Sequence, residues 1–407
     1  MGVAGKPESA GLYFPLDEYH QRWARVHTKL AERGYDIAVV WGQSGGNFQR
    51  HMEILWLTNF FSNVSGQMPD SPRSEVWQAN SYSCAILEPN KEPELIGDEP
   101  DPNMELLAVG NYQWHQDPVR GAAEALKARG IQGRVAFVGS DCLPVKYADQ
   151  LREQTPGIDY VFDDDLIREL RMIKSPRELD CFREGGEIVT KALNRLCEGL
   201  LAGKTTAEAA ADASHEVVRH GGACHRIPTN FGETLLTANV ITPLYGYNDQ
   251  APKTGDMAWG MVYGPIHQGY WLDPGRTLVV GGKPTAEQKA LLEESYTIIQ
   301  KMIDMAKPGV KLKDIAAECD RMKAAMAHDD DYKDKVWPYY AHGNGMLWEP
   351  PFISQAMSSD DDIIMEGMVF GFEVFITRQG MHADWEDNII ITKDGAEVIT
   401  TSPIFWY

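Results

Sequence analysis

Four side chains able to hold or move charge stand inside segments that otherwise read as apolar strands. They are Asp273 in GYWLDPGRT, His342 in YYAHGNGMLWEPPFI, Glu373 in GMVFGFEVFI and Glu386 in HADWEDNIIIT. Flanking Val, Ile, Phe and Trp desolvate a carboxylate, and burying one unpaired costs roughly several kcal/mol, so each needs a cation or a proton. Convergence on one ion satisfies all four at once. Hard oxygen donors with a single imidazole suit Mn, Fe, Co or Zn better than copper or a thiolate-bound structural zinc. A metal-free alternative stays open, in which the carboxyl groups crowd together and share protons with His342. The stretch MVYGPIHQGYWLDPGRT, residues 261–277, reads as a β-hairpin carrying Asp273 near the end of its second strand and Val262 on its first. Arg276, three residues past Asp273, is expected to form a structural ion pair within the sheet.

These positions require two different scaffolds. From Asp17 to about Gly34 the chain has helical periodicity and a glycine stop, followed by the apolar run YDIAVVWG. Strands SYSCAILEP, PELIG, RVAFVG and IDYVFD then alternate with helices DPVRGAAEALKARG and KYADQLREQTPG, the pattern of an α/β layer domain over residues 1–165. Residues 166–407 differ. Ser175-Pro176 supplies an N-cap and a first-turn proline for a long amphipathic helix, and Thr205 or Thr206 opens the next. A strand-rich block from about Ile227 to Val280, two more helices, and strands around Tyr339, Met368 and Asn388 make this an α+β domain.

Size and charge narrow the function. At 407 residues two domains are expected, and a formal charge of −21 spread along the chain argues against nucleic acid or an anionic membrane as partner. The start MGVAGKPESAGLYFP has neither the basic, apolar pattern of a signal peptide nor a myristoylation signal, and no window is long and apolar enough for a membrane span. A cytoplasmic protein is expected. Its 6 cysteines contain no CxxC pair, as suits reduced thiols.

The order Asp, His, Glu, Glu, set in GYWLDPGRT, HGNGMLWEPP, EGMVFGFE and WEDNIIIT, resembles the pita-bread family of creatinase, aminopeptidase P, prolidase and methionine aminopeptidase. LRMIKSPRELDCFREG and KPGVKLKDI add to the likeness, which covers about Leu166 to Ser402. It implies an α+β pita-bread C-terminal domain preceded by a creatinase-type N-terminal α/β domain, closest in layout to the creatinase and prolidase branch. The family's peptidases bind two metals through five ligands, the first an Asp eleven residues before the second; counting back from Asp273 lands on Val262. The resemblance therefore implies one metal position, held by Asp273, His342, Glu373 and Glu386, or none. Glu373 matches the acid-base carboxylate, and Phe370, Phe372 and Phe375 would raise its pKa. His342 serves as ligand or as donor to the substrate, and Glu386 as ligand or orienting carboxylate.

Two further departures bear on the substrate. Upstream of Gly255-Asp256 the peptidases carry a substrate-side His where this chain has Tyr245 and Tyr247, and the HExP histidine is replaced by Trp348. These three aromatics, with Trp271, could wall a pocket for a cationic group. Arg50 and Arg73 in the first domain are candidates to hold a substrate carboxylate, since family dimers complete each site with a partner loop. The expected function is hydrolysis of a non-peptide or amide C–N bond in a small polar or zwitterionic metabolite, as in creatinase or ectoine hydrolase. Alternatives are a metal-dependent lyase of the dimethylsulfoniopropionate type, an Xaa-Pro peptidase, and an inactive binding module. A homodimer is expected from the layout; light scattering that gives a monomer at micromolar concentration would count against it.

Overall fold

The computed structural model describes residues 11–44, 49–62, 80–235, 246–329, 337–404 and 406–407. Arg73 and Tyr245 lie outside these. The chain forms two compact units, Met1–Arg171 and Met172–Tyr407.

The first unit is built on a six-stranded sheet in the order β4-β3-β2-β1-β5-β6. Its strands are β1 (Ile37–Gln43), β2 (Tyr82–Leu87), β3 (Glu94–Gly97), β4 (Tyr112–Trp114), β5 (Arg134–Val138) and β6 (Asp159–Phe162). The run IAVVWG occupies the central strand, buried along its length, which is why it reads as continuous rather than alternating hydrophobicity. Helix α1 (Leu16–Arg33) buries Tyr19, Trp23, Val26 and Leu30 and stops at Gly34, which takes φ 68°. Two elements escape the periodicity. The helix α2 (Met52–Thr58), sequence MEILWLT, is too short and too uniformly apolar to separate from a strand, and β4 is a three-residue edge with no buried face. Helices α3 (Pro118–Ala128), α4 (Val145–Gln154) and α5 (Asp165–Met172) complete the alternation.

In the second unit, α6 (Pro176–Leu201) starts at a capping box in which Ser175 and Glu178 satisfy each other's backbone N–H groups. Thr205, not Thr206, caps α7 (Thr206–Arg219) in the same way. The strands are β7 (Thr229–Phe231), β8 (Met257–Met261), β9 (Gly264–His267), β10 (Tyr270–Leu272) and β11 (Gly275–Val279), then β12 (Ala341–Asn344), β13 (Trp348–Ile353), β14 (Val369–Arg378), β15 (Met381–Thr392) and β16 (Gly395–Val398). Most of them form one curved antiparallel sheet in the order β13-β12-β14-β15-β11-β8-β7 with β16 beside β15. Helices α8 (Ala286–Met305) and α9 (Leu312–Ala325) bury one face of β14 and β15 through Phe370, Phe372, Val374, Ile376, Ala383 and Trp385.

The expected hairpin from Met261 to Thr277 is not a single one. β8 and β11 pair with each other, and the residues between them turn back as a separate two-stranded ribbon, β9 and β10. Gln268 and Gly269, at φ 50° and 86°, make the tight turn that closes this ribbon. Tyr263 leaves β8 to bridge Arg226, and Pro274 has no N–H to continue the ladder.

Candidate active site

Side chains alternate between the two faces of a strand, so the sheet register fixes which residues meet. On the face away from α8 and α9 they fall into three rows. In the first, Trp259 pairs Thr277, Asp384 pairs Phe375, and the Thr277 hydroxyl joins the two by bonding the Asp384 backbone on both sides. The second holds Met261, Gly275, Glu386 and Glu373 in successive register. Asp273, Asn388, Gly371 and His342 make the third.

The structure brings Asp273, His342 and Glu386 together: one ligand atom from each lies within 4.8 Å of the others. Nε2 of His342 stands 3.4 Å from Asp273 Oδ2 and 3.6 Å from Glu386 Oε1. All three residues are buried. Amide N–H groups of Asn344 and Asn388 donate to Asp273 Oδ1 at 2.9 and 2.6 Å, and the Trp348 indole N–H donates to Oδ2. Gly371 is the floor of the cluster. A Cβ there would come within 2.9 Å of the His342 ring and 3.1 Å of both an Asp273 and a Glu386 oxygen.

The cluster fits a cation. Oε1 of Glu386 is shielded from solvent and accepts no hydrogen bond from any described residue. Burial first, then the Asp273, Glu373 and Asp384 carboxylates, hold the Glu386 carboxyl well above the usual range. A divalent ion among these donors relieves both conditions.

Glu373 is not among the three converging groups. It sits opposite Glu386 on the neighbouring strand, buried, with the Tyr339 hydroxyl hydrogen-bonded to it. Burial and the nearby carboxylates hold that phenol protonated, so it acts as a donor. Of the aromatic neighbours expected around Glu373, only Phe375 shares its face; Phe370 and Phe372 point into the α8 and α9 core, because strand neighbours alternate.

Above the rows opens a cavity of about 290 Å³ whose lining includes Trp348, His342, Glu373 and Glu386. Val262 is fully buried and does not line it, whereas Met261 and Tyr263 on either side do. The position reached by counting eleven residues back from Asp273 therefore does not face the cavity, and Tyr263 and Met261 are the β8-side residues that do. Tyr247 is half-buried and does not line it either. Arg50 is exposed in the first unit, with Nη1 donating to the Asp141 carbonyl at 2.7 Å. Arg276 makes the expected structural pair, 2.7 Å from Asp387, with its guanidinium over the Trp385 ring. Sequence reasoning missed Asp384, Tyr339, Arg226 and Gly371. Asp384 alone carried a signal, since it stands two residues before Glu386 and so on the same face.

A curved antiparallel sheet backed by helices, with this cluster on its open face, is the pita-bread architecture, here following an α/β domain in the sequence. Residues 180–393 match the model of Metallopeptidase family M24, and the chain belongs to that family. It is similar to the Xaa-Pro dipeptidase of Pyrococcus horikoshii, 26% identical over 321 residues covering 78% of this chain and 84% of that protein. The ectoine hydrolase of Halomonas elongata is 24% identical over 424 residues, covering 96% and 97%. Among solved structures, the Xaa-Pro dipeptidase from Bacillus anthracis superimposes with a TM-score of 0.76 at 19% identity, over 95% of this chain and 98% of that one. The protein is thus an enzyme of the creatinase and Xaa-Pro peptidase type, a hydrolase. No helix among the described residues is long and apolar enough to cross a membrane.

Proposed function

We propose that the protein hydrolyses a C–N bond of a small polar metabolite with one divalent metal ion, Mn, Fe, Co or Zn, in the cavity. The convergence of Asp273, His342 and Glu386 beneath a 290 Å³ cavity, with Met261 and Tyr263 and no carboxylate on its β8 side, carries this reading. Those three residues would hold the ion, and Glu373 stands beside them, opposite Glu386, for proton transfer. When bound, it would polarise the group under attack and acidify water.

The chain's own residues supply the rest. Two amide N–H groups saturate Asp273 Oδ1 and the Trp348 indole caps Oδ2, so the carboxylate is fixed as an acceptor facing His342. Glu373 takes a proton from water as its oxygen adds to the carbon of the C–N bond. The same carboxyl then returns that proton to the departing nitrogen, and the bond breaks to give an acid and an amine. Tyr339 holds Glu373 in place through its hydroxyl. Cytoplasmic location and a homodimer belong to the same proposal.

Xaa-Pro dipeptide cleavage is the second reading, favoured by what the relatives are named for. The protein should be assayed with Xaa-Pro dipeptides, ectoine and creatine, with each of the four metals added in turn. Release of a new amino group from at least one of them is expected. No release under any metal, or an alkene product when dimethylsulfoniopropionate is assayed beside them, would overturn hydrolysis.

A further inference from the structure

Of the carboxylates on the site face, Asp273 and Glu386 belong to the ion cluster and Glu373 to proton transfer. Asp384 has no part in either. It is 3% exposed, lines the cavity, and stands in the first row between Thr277 and Phe375. Aromatic faces surround that end: Trp259 is in the same row, and Trp337 lies with its ring centroid 6.2 Å from that of Phe375. A carboxylate among aromatic faces is the chemistry that selects a cationic nitrogen.

The opposite end carries the opposite charge. Arg226 lines the cavity, is bridged through its backbone to Tyr263, and hydrogen-bonds the Tyr263 side chain. Tyr263 follows the end of β8 past Met261 of the second row, whereas Trp259 stands in the first row. Between them lies the row holding Glu386 and Glu373, where the bond would be cut. The cavity is therefore cationic at one end, anionic and aromatic at the other, with the chemistry in the middle.

We infer that the substrate is a zwitterion whose carboxylate meets Arg226 and whose cationic nitrogen meets Asp384, so that these two residues set specificity across the scissile bond. This deepens the hydrolase reading and rests on it only for the position of the cleaved bond. It assigns Asp384 and Arg226 to substrate recognition, not to metal binding or proton transfer.

Binding to the full-length metal-loaded protein can be followed by calorimetry with Ala-Pro, N-acetyl-Ala-Pro and Ala-Pro amide. These probes carry both charges, only the anion, and only the cation. Ala-Pro is expected to bind about 10-fold or more tightly than either analogue. Asp384→Asn should erase the preference over N-acetyl-Ala-Pro alone and Arg226→Gln the preference over Ala-Pro amide alone, each variant keeping the parent metal content. Equal affinities for the three probes, no binding of Ala-Pro, or an equal loss for all probes in either variant would overturn the assignment. Flat charge preference in a protein that still hydrolyses a small C–N substrate would leave the hydrolase reading standing. Preference without hydrolysis of any substrate would do the reverse.

Discussion

Glu373→Gln is expected to lower turnover by about 10²-fold or more while leaving fold and metal content intact. The side chain lies on the open face of β14, so the core packing of Phe372 and Val374 on the other face is untouched. Gln has the same shape and keeps an oxygen to accept from Tyr339, so the position is preserved and only the proton is lost. A uniform fall in kcat with little change in KM is the signature, because proton transfer contributes in the transition state and not in binding. Activity within a few-fold of the parent would remove Glu373 from the mechanism and shift proton transfer to His342 or Glu386.

Asp273, His342 and Glu386 were legible in the sequence for a physical reason. Charge inside apolar strands is costly, and three such groups in one domain call for a common partner. The helix starts at Ser175 and Thr205 were equally legible, since capping is local chemistry. What was lost depends on pairing across strands. Tyr339 reaches Glu373 from a loop before β12, and Gly371 matters only because β12, β14, β15 and the short link between β10 and β11 bring three ligands over its Cα. The aromatic residues beside Glu373 misled for a related reason: adjacency in sequence puts Phe372 on the far face, and only Phe375, two residues on, meets the cavity. Val262 misled in the same way, since its neighbours Met261 and Tyr263 are the ones that face inward. Arg73 and Tyr245 lie outside the described residues, and Arg50 sits in the first unit.

Metal content is the second large effect. Three ligand atoms within 4.8 Å of one another leave room for one ion, and no carboxylate from β8 faces the cavity to hold another. Gly371→Ala supplies a control that removes no ligand. Its Cβ would stand 2.9–3.1 Å from all three side chains, closer than ordinary contact, so the ligands must spread and affinity for the ion should fall about 10-fold or more. The direct measurement is elemental analysis of the parent protein after equilibration with each divalent metal and removal of free ion, read beside Gly371→Ala. One ion per chain in the parent and a marked deficit in the variant are expected; two ions per chain, or none with any metal, would contradict a single-metal site.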